Sequence, residues 1–174
     1  MPGTYAELAV NLGLIAFGAF LAVTIKALLD RREKNDIIAA IEQELIAEAH
    51  LNIAKLGGLS NEITKIEQSG SVPVFLPYRM SLATLHQTIS TGQLRLLPSN
   101  QTQRLWRLVA EACESFSGFV DNTELVATIV LLHTNGAAIA LCRCRQLADQ
   151  AKETKQFIVG LLDKIDPTWK EQNT

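Results

Sequence analysis

The sequence predicts an all-α protein: an N-terminal transmembrane helix that continues into a long cytoplasmic helix and packs with a small helical bundle. Three observations predict it. Residues 8–25 read LAVNLGLIAFGAFLAVTI, a run without a charge between Glu7 and Lys26. Apolar residues then recur at spacings of three and four through most of the chain, the period of a helix with one buried face. Helix breakers gather at only a few places, at Gly57 and Gly58, between Gly70 and Pro77, near Gly92 and Pro98, at Asn135 and Gly136, and at Pro167.

The uncharged run makes roughly 27 Å of helix at about 1.5 Å per residue, and Tyr5, Leu28 and Leu29 extend it to the thickness of a hydrocarbon core. The preceding MPGTYAE has no Lys or Arg, unlike the n-region of a signal peptide, so the run is expected to remain as an anchor. Lys26, Arg31, Arg32 and Lys34 follow it, interleaved with Asp30, Glu33 and Asp36. That asymmetry places the N-terminus outside and the C-terminal domain on the cytoplasmic side of an inner membrane crossed once. Ala9 and Gly13, and again Gly18 and Ala22, are small residues four apart, the spacing that lets membrane helices approach closely. With Asn11 as a hydrogen-bonding group they form a candidate membrane-helix contact face, although alanine and glycine are also common in such helices for composition alone.

The helix continues past the lipid, because residues 26–56 contain neither Pro nor Gly. Ile38, Ile41, Leu45, Ala49, Ile53 and Leu56 form its apolar stripe, with Glu42, Glu44 and Glu48 expected on a solvated face, and Gly57 and Gly58 supply a stop. A helix over residues 5–56 would be on the order of 78 Å long. The predicted organisation is thus an anchor over 1–30, a long amphipathic helix over 31–58, a short helix and loop over 59–78, and a helical bundle over 79–174. Within the bundle, a helix over 79–91 ends at Gly92, and Ser99 or Asn100 caps a long helix carrying Leu105, Val109, Ala112, Phe116, Val120, Thr123 and Ala127. A last helix over 137–165 carries Leu141, Cys144, Ala148, Ala151, Ile158, Leu161 and Ile165 before Pro167. Residues 125–142 are also uncharged, but His133, Thr134, Asn135 and Gly136 stand at their centre and favour a hairpin over a second span.

A net charge of −2 and a pI near 5.9 give no basic field for nucleic acid. Hydrophobic residues make up 48% of the chain and charged residues 20%, which suits partial contact with lipid. Cys113, Cys142 and Cys144 are too few and too close for a disulfide framework, suit a reducing compartment, and read as core residues. His50, His86 and His133 lack metal-ligand spacing, and no phosphate loop, nucleophile elbow or dinucleotide fingerprint occurs. No cofactor or metal is expected, and no catalytic residue stands out. Arg95, Arg104, Arg107, Arg143 and Arg145 can gather into a patch that touches anionic lipid headgroups or an acidic partner, or scatter over the surface. Trp169, in the polar tail PTWKEQNT, reads either as a docking hook for a partner or as a ring folded back on the last helix. Ile38, Ile41 and Leu45 are further docking candidates.

The stretch VPVFLPYRMSLATLHQTISTGQLRLLPSNQTQRLWRLVAEACESFSGFVDN resembles a pattern of small uncharacterised bacterial membrane proteins with one N-terminal span and a cytoplasmic helical domain. Pro77, Gly92, Leu94, Leu97 and Asn122 are the matching positions, across about a third of the chain. Leu85 and His86 stand where an aromatic residue is usual. The resemblance implies topology and cytoplasmic placement, and no activity. The expected role is that of a non-enzymatic interaction protein anchored in the membrane, an accessory subunit or scaffold that associates with itself or with an integral membrane partner. The alternative is an oligomeric effector whose spans line or perturb a pore, with Asn11 and Thr24 as its polar candidates.

Overall fold

The computed structural model describes the backbone of residues 3–69, 79–130 and 136–165, and their side chains except for 3–16, 67, 124–130, 136 and 137. The fold is all-α: α1 (Gly3–Ser69), α2 (Ala83–Ser90), a 3-10 turn (Gln93–Leu96), α3 (Asn100–Val130) and α4 (Gly136–Ile165). The chain divides into two compact units, Met1–Ala40 and Ile41–Thr174.

In the first unit, Phe17, Phe20, Leu21, Val23, Ile25, Leu28 and Leu29 are all exposed. Among the described residues no helix is long and apolar enough to cross a membrane. Residues 8–16, the first half of the uncharged run, lie outside the described side chains.

The second unit is built on three apolar stripes. From α1 come Ile41, Leu45, Ala49, Ile53, Leu56, Leu59 and Ile63, and from α3 Leu105, Trp106, Val109, Cys113, Phe116 and Val120. From α4 come Ala140, Cys144, Leu147, Ala148, Ala151, Ile158, Leu161 and Leu162. Each set keeps the three-and-four spacing of a helix with one face turned inward. The indole of Trp106 is fully buried, and its Nε1 has no hydrogen-bond partner among the described residues.

The stop expected at Gly57 and Gly58 is absent, and α1 runs on to Ser69, absorbing the separate short helix expected over 60–68. Glycine inside a helix costs about 1 kcal/mol relative to alanine. Leu59 and Ile63, beyond the glycines, are 0% and 1% exposed; a fully buried side chain of this size contributes roughly 1.5–3 kcal/mol. Burial therefore outweighs the two glycines.

The next helix starts later than its residue pattern suggests. Residues 79–82 stay outside α2 because α1 side chains hold their backbone: Lys55 Nζ donates to the Arg79 carbonyl at 2.9 Å, and Asn52 binds Ser81 on both sides. The expected end does occur at Gly92, whose φ of 74° is left-handed backbone suited to glycine. Ser99 caps α3 as expected, its Oγ accepting the Thr102 N–H at 3.0 Å. Helices α3 and α4 pack side by side as a hairpin, so the uncharged residues 125–142 are shared between the two helices and do not form a single one. His133, Thr134 and Asn135 lie outside the described residues.

Candidate functional site

Where α1, α2 and α3 meet, the structure assembles a polar cluster in an otherwise apolar setting. Glu48 and Asn52 sit one helical turn apart on α1 and are 6% and 0% exposed. Asn52 donates from Nδ2 to the Ser81 carbonyl and accepts the Ser81 N–H at Oδ1, both at 2.7 Å. Its amide thus pairs with that backbone as a neighbouring strand would. Glu48 takes the other end of the same segment. Oε1 accepts from Ser81 Oγ at 2.9 Å and from the Thr84 N–H at 3.1 Å, and Oε2 accepts the Leu85 N–H at 2.8 Å.

Those two N–H groups belong to the first turn of α2, where backbone donors have no partner within the helix. Leu82, at the N-cap, supplies no side-chain bond. A carboxylate from another helix does the capping instead, and its negative charge suits the positive end of the helix dipole. This corrects the sequence expectation for Glu48: Glu44 is exposed and Glu42 half-buried, but Glu48 is an interior hydrogen-bond hub.

The cluster is built to hold rather than to react. Both Glu48 oxygens already accept hydrogen bonds, three in all. The Cys113 thiol, at 3.6 Å from Asn52 Nδ2, is pushed up to about 12 by burial first and by the Glu48 charge second, while the Asn52 hydrogen bond opposes them and Glu114 adds to them. A thiol held there stays protonated at neutral pH and is a poor nucleophile.

Elsewhere, His86 Nε2 meets Glu114 Oε1 at 2.7 Å on the open surface, joining α2 to α3. Cys142 and Cys144 point apart, as two residues two apart on a helix must; Cys144 is buried, whereas Cys142 is exposed and so does not have the core position expected of it. Among the described residues no three His, Cys, Asp or Glu side chains gather as metal ligands. Arg95, Arg104, Arg107, Arg143 and Arg145 are all exposed.

The second feature is the apolar surface of the first unit. Advancing about 100° per residue, Phe17, Phe20, Leu21, Val23, Ile25, Leu28 and Leu29 occupy most directions around the helix, with Ala19 and Ala22 in the remaining sector. Phe20, Val23 and Leu28 are 70%, 69% and 61% exposed. Of the small-residue positions, Gly18 and Ala22 are exposed, and a Cβ at Gly18 would meet nothing within 4 Å. The side chains of Ala9, Asn11 and Gly13 lie outside the described residues. Ala9 and Gly18 are two and a half turns apart, so the two small-residue pairs occupy opposite sides of the helix.

Of the docking candidates, Ile41 and Leu45 are buried in the core of the second unit, at 7% and 0% exposure, and are occupied by the chain itself. Ile38 is half-buried, and Trp169 lies outside the described residues. Sequence reasoning missed Asn52 and Ser81. A buried asparagine on an apolar stripe, at the Ala49 and Ile53 level, was the available signal.

No family model matches the chain, and neither does any curated protein or solved structure.

Proposed function

We propose that this chain is a non-enzymatic, membrane-anchored interaction protein, an accessory subunit or scaffold whose helical second unit meets its partners on the cytoplasmic side. The observation that carries the reading is the exposure of apolar side chains on nearly all sides of residues 17–29. A helix that is hydrophobic all round belongs in a protein core or in lipid. Seven such side chains left in water forgo on the order of 10 kcal/mol, taking roughly 1.5–3 kcal/mol for each full burial and discounting for partial contact. Lys26, Arg31, Arg32 and Lys34, all exposed at the end of the stretch, give the polarity that orients a span. Small-residue pairs on opposite sides of the helix would let one span touch two neighbours, which suits a homo-oligomer or a subunit wedged between membrane helices. The pore reading has less behind it. Thr24 Oγ1 donates a hydrogen bond to the Phe20 carbonyl at 2.8 Å within its own helix, so it has no need of a watery lumen.

Alkaline carbonate extraction of membranes tests the anchor. The chain is expected to stay with the pellet, and a Phe20→Asp/Val23→Asp variant to leave it; wild-type protein in the supernatant overturns the reading. Purification from native membranes in mild detergent tests the interaction half. A species larger than the monomer is expected, and a lone monomer sinks the scaffold.

A further inference from the structure

We propose that the outward face of the last turns of α4 pairs with the same face of a second copy of this chain, the two helices running antiparallel. The proposal rests on the interaction reading and deepens it by naming the partner, and it uses only residues of the second unit.

Between residues 153 and 165 the inward side of α4 is spent on the core, where Thr154, Ile158, Leu161 and Leu162 are buried. On the other side Glu153, Phe157, Gly160 and Lys164 follow at spacings of four, three and four, which keeps them within a sector of roughly 60°. Phe157, at 50%, is the most exposed large apolar side chain described in the second unit. A ring left in water forgoes burial that a contact would return. Gly160, nearly one turn on, leaves a gap in the same stripe: a Cβ there would meet nothing within 4 Å, and its φ is not left-handed. Glycine weakens a helix interior relative to alanine, and nothing in the chain's own packing calls for it here. A ring beside a gap is self-complementary, because each copy's ring can enter the other's gap.

Charge selects the direction. Setting Phe157 over the second copy's Gly160 in an antiparallel pair centres the contact between residues 158 and 159, and the same register brings Glu153 opposite the second copy's Lys164. By symmetry that ion pair forms twice. Both side chains are exposed, and among the described residues neither takes part in an ion pair within the chain. A parallel pair would instead set Glu153 against Glu153 and Lys164 against Lys164, like charge against like. Lys152 and Asp163 stand about a quarter turn or more around the helix from this stripe and stay outside the contact. A face about three turns long is small beside a standard interface, so the dimer is weak and depends on concentration.

The test uses the full-length chain carrying Phe20→Asp/Val23→Asp, so that association through the first unit does not enter, and follows its mass by sedimentation equilibrium over a range of concentrations in mild detergent. A monomer–dimer equilibrium is expected, with a dissociation constant that rises about tenfold or more in Phe157→Asp and also rises in Glu153→Lys. Adding Lys164→Glu to Glu153→Lys exchanges the signs of the pair and should return the constant toward its starting value. Circular dichroism checks that each variant is folded, and Gly160→Leu, which fills the gap, replaces Phe157→Asp if that variant unfolds. A dimer indifferent to all of these changes overturns this face and leaves self-association standing. If Phe157→Asp breaks the dimer and the charge exchange fails to restore it, the antiparallel register is overturned. A monomer at every concentration overturns the proposal as well, while the broader interaction reading is decided separately by what the wild-type chain holds when purified from native membranes.

Discussion

Two stretches of α1 share a helical backbone and a similar supply of aliphatic residues, yet they differ in where those residues point. Between residues 41 and 63 most of the large apolar side chains fall on one face, and Leu45, Ala49 and Leu59 are fully buried while Glu44, Ala47, His50, Leu51 and Glu62 are exposed. Between residues 17 and 29 they point in most directions, and the large ones are exposed. Angular distribution, more than apolar content, separates a helix that its own chain can cover from one that needs an outside solvent. The stripe is buried within the second unit, whereas the large apolar side chains of the earlier stretch are exposed in most directions.

The contrast breaks most visibly under truncation. Trp106→Ala removes the largest fully buried side chain among the described residues and is expected to cost about 3–5 kcal/mol, enough to unfold a small bundle. Phe20→Ala, at a site 70% exposed, is expected to leave the bundle's urea midpoint in mild detergent unchanged. Paired denaturation curves followed by circular dichroism compare the two. Equal destabilisation would mean that the first stretch is packed against the bundle and is not free for lipid.

Next in size is the buried carboxylate. Glu48→Ala leaves the Thr84 and Leu85 N–H groups and the Ser81 hydroxyl without their acceptor, and the expected cost is about 2–3 kcal/mol, because hydrogen bonds to charged groups exceed neutral ones. Glu44→Ala, on the exposed face, is expected to cost almost nothing. If chemical denaturation ranks the two alike, Glu48 is not a hub. Local sequence could not separate these glutamates, since both stand on a helix among alanines and isoleucines. The partners of Glu48 are 33 to 37 residues away, beyond a segment rich in Pro and Gly. Features that depend on neighbours were legible: the Leu105, Val109 and Phe116 stripe follows from period, the left-handed turn from Gly92, and the α3 cap from Ser99. The late start of α2 was not, because its cap is a side chain of another helix.

Burial also changes how the interior thiol of Cys113 ionises. Cys113 keeps its proton to about 12 against an ordinary 9.0. In that window the folded state binds more proton than the unfolded one, so the contribution is complete below pH 9.0 and declines as pH rises toward 12. The slope is roughly 1 kcal/mol per pH unit. Urea midpoints of the wild type should fall between about pH 8 and about pH 10, and Cys113→Ala should fall less. Identical slopes would place the thiol in a better solvated setting than the structure gives it. In the same samples at neutral pH, maleimide should label exposed Cys142 and spare Cys113.

The smallest effect has the opposite sign. Gly57 sits mid-helix, half-buried, and an added Cβ would meet only Lys155 Nζ, at 3.9 Å, an ordinary contact. Its backbone is helical and does not have the left-handed φ of Gly92, so no conformational need for glycine exists there. Alanine at this position restricts the unfolded chain and suits the helix, and Gly57→Ala should stabilise the second unit by about 0.5–1 kcal/mol. A measurable loss of stability would show that α4 approaches α1 too closely at this level for a methyl group. It would also give Gly57 a packing role in place of the helix-ending one that its pairing with Gly58 suggests.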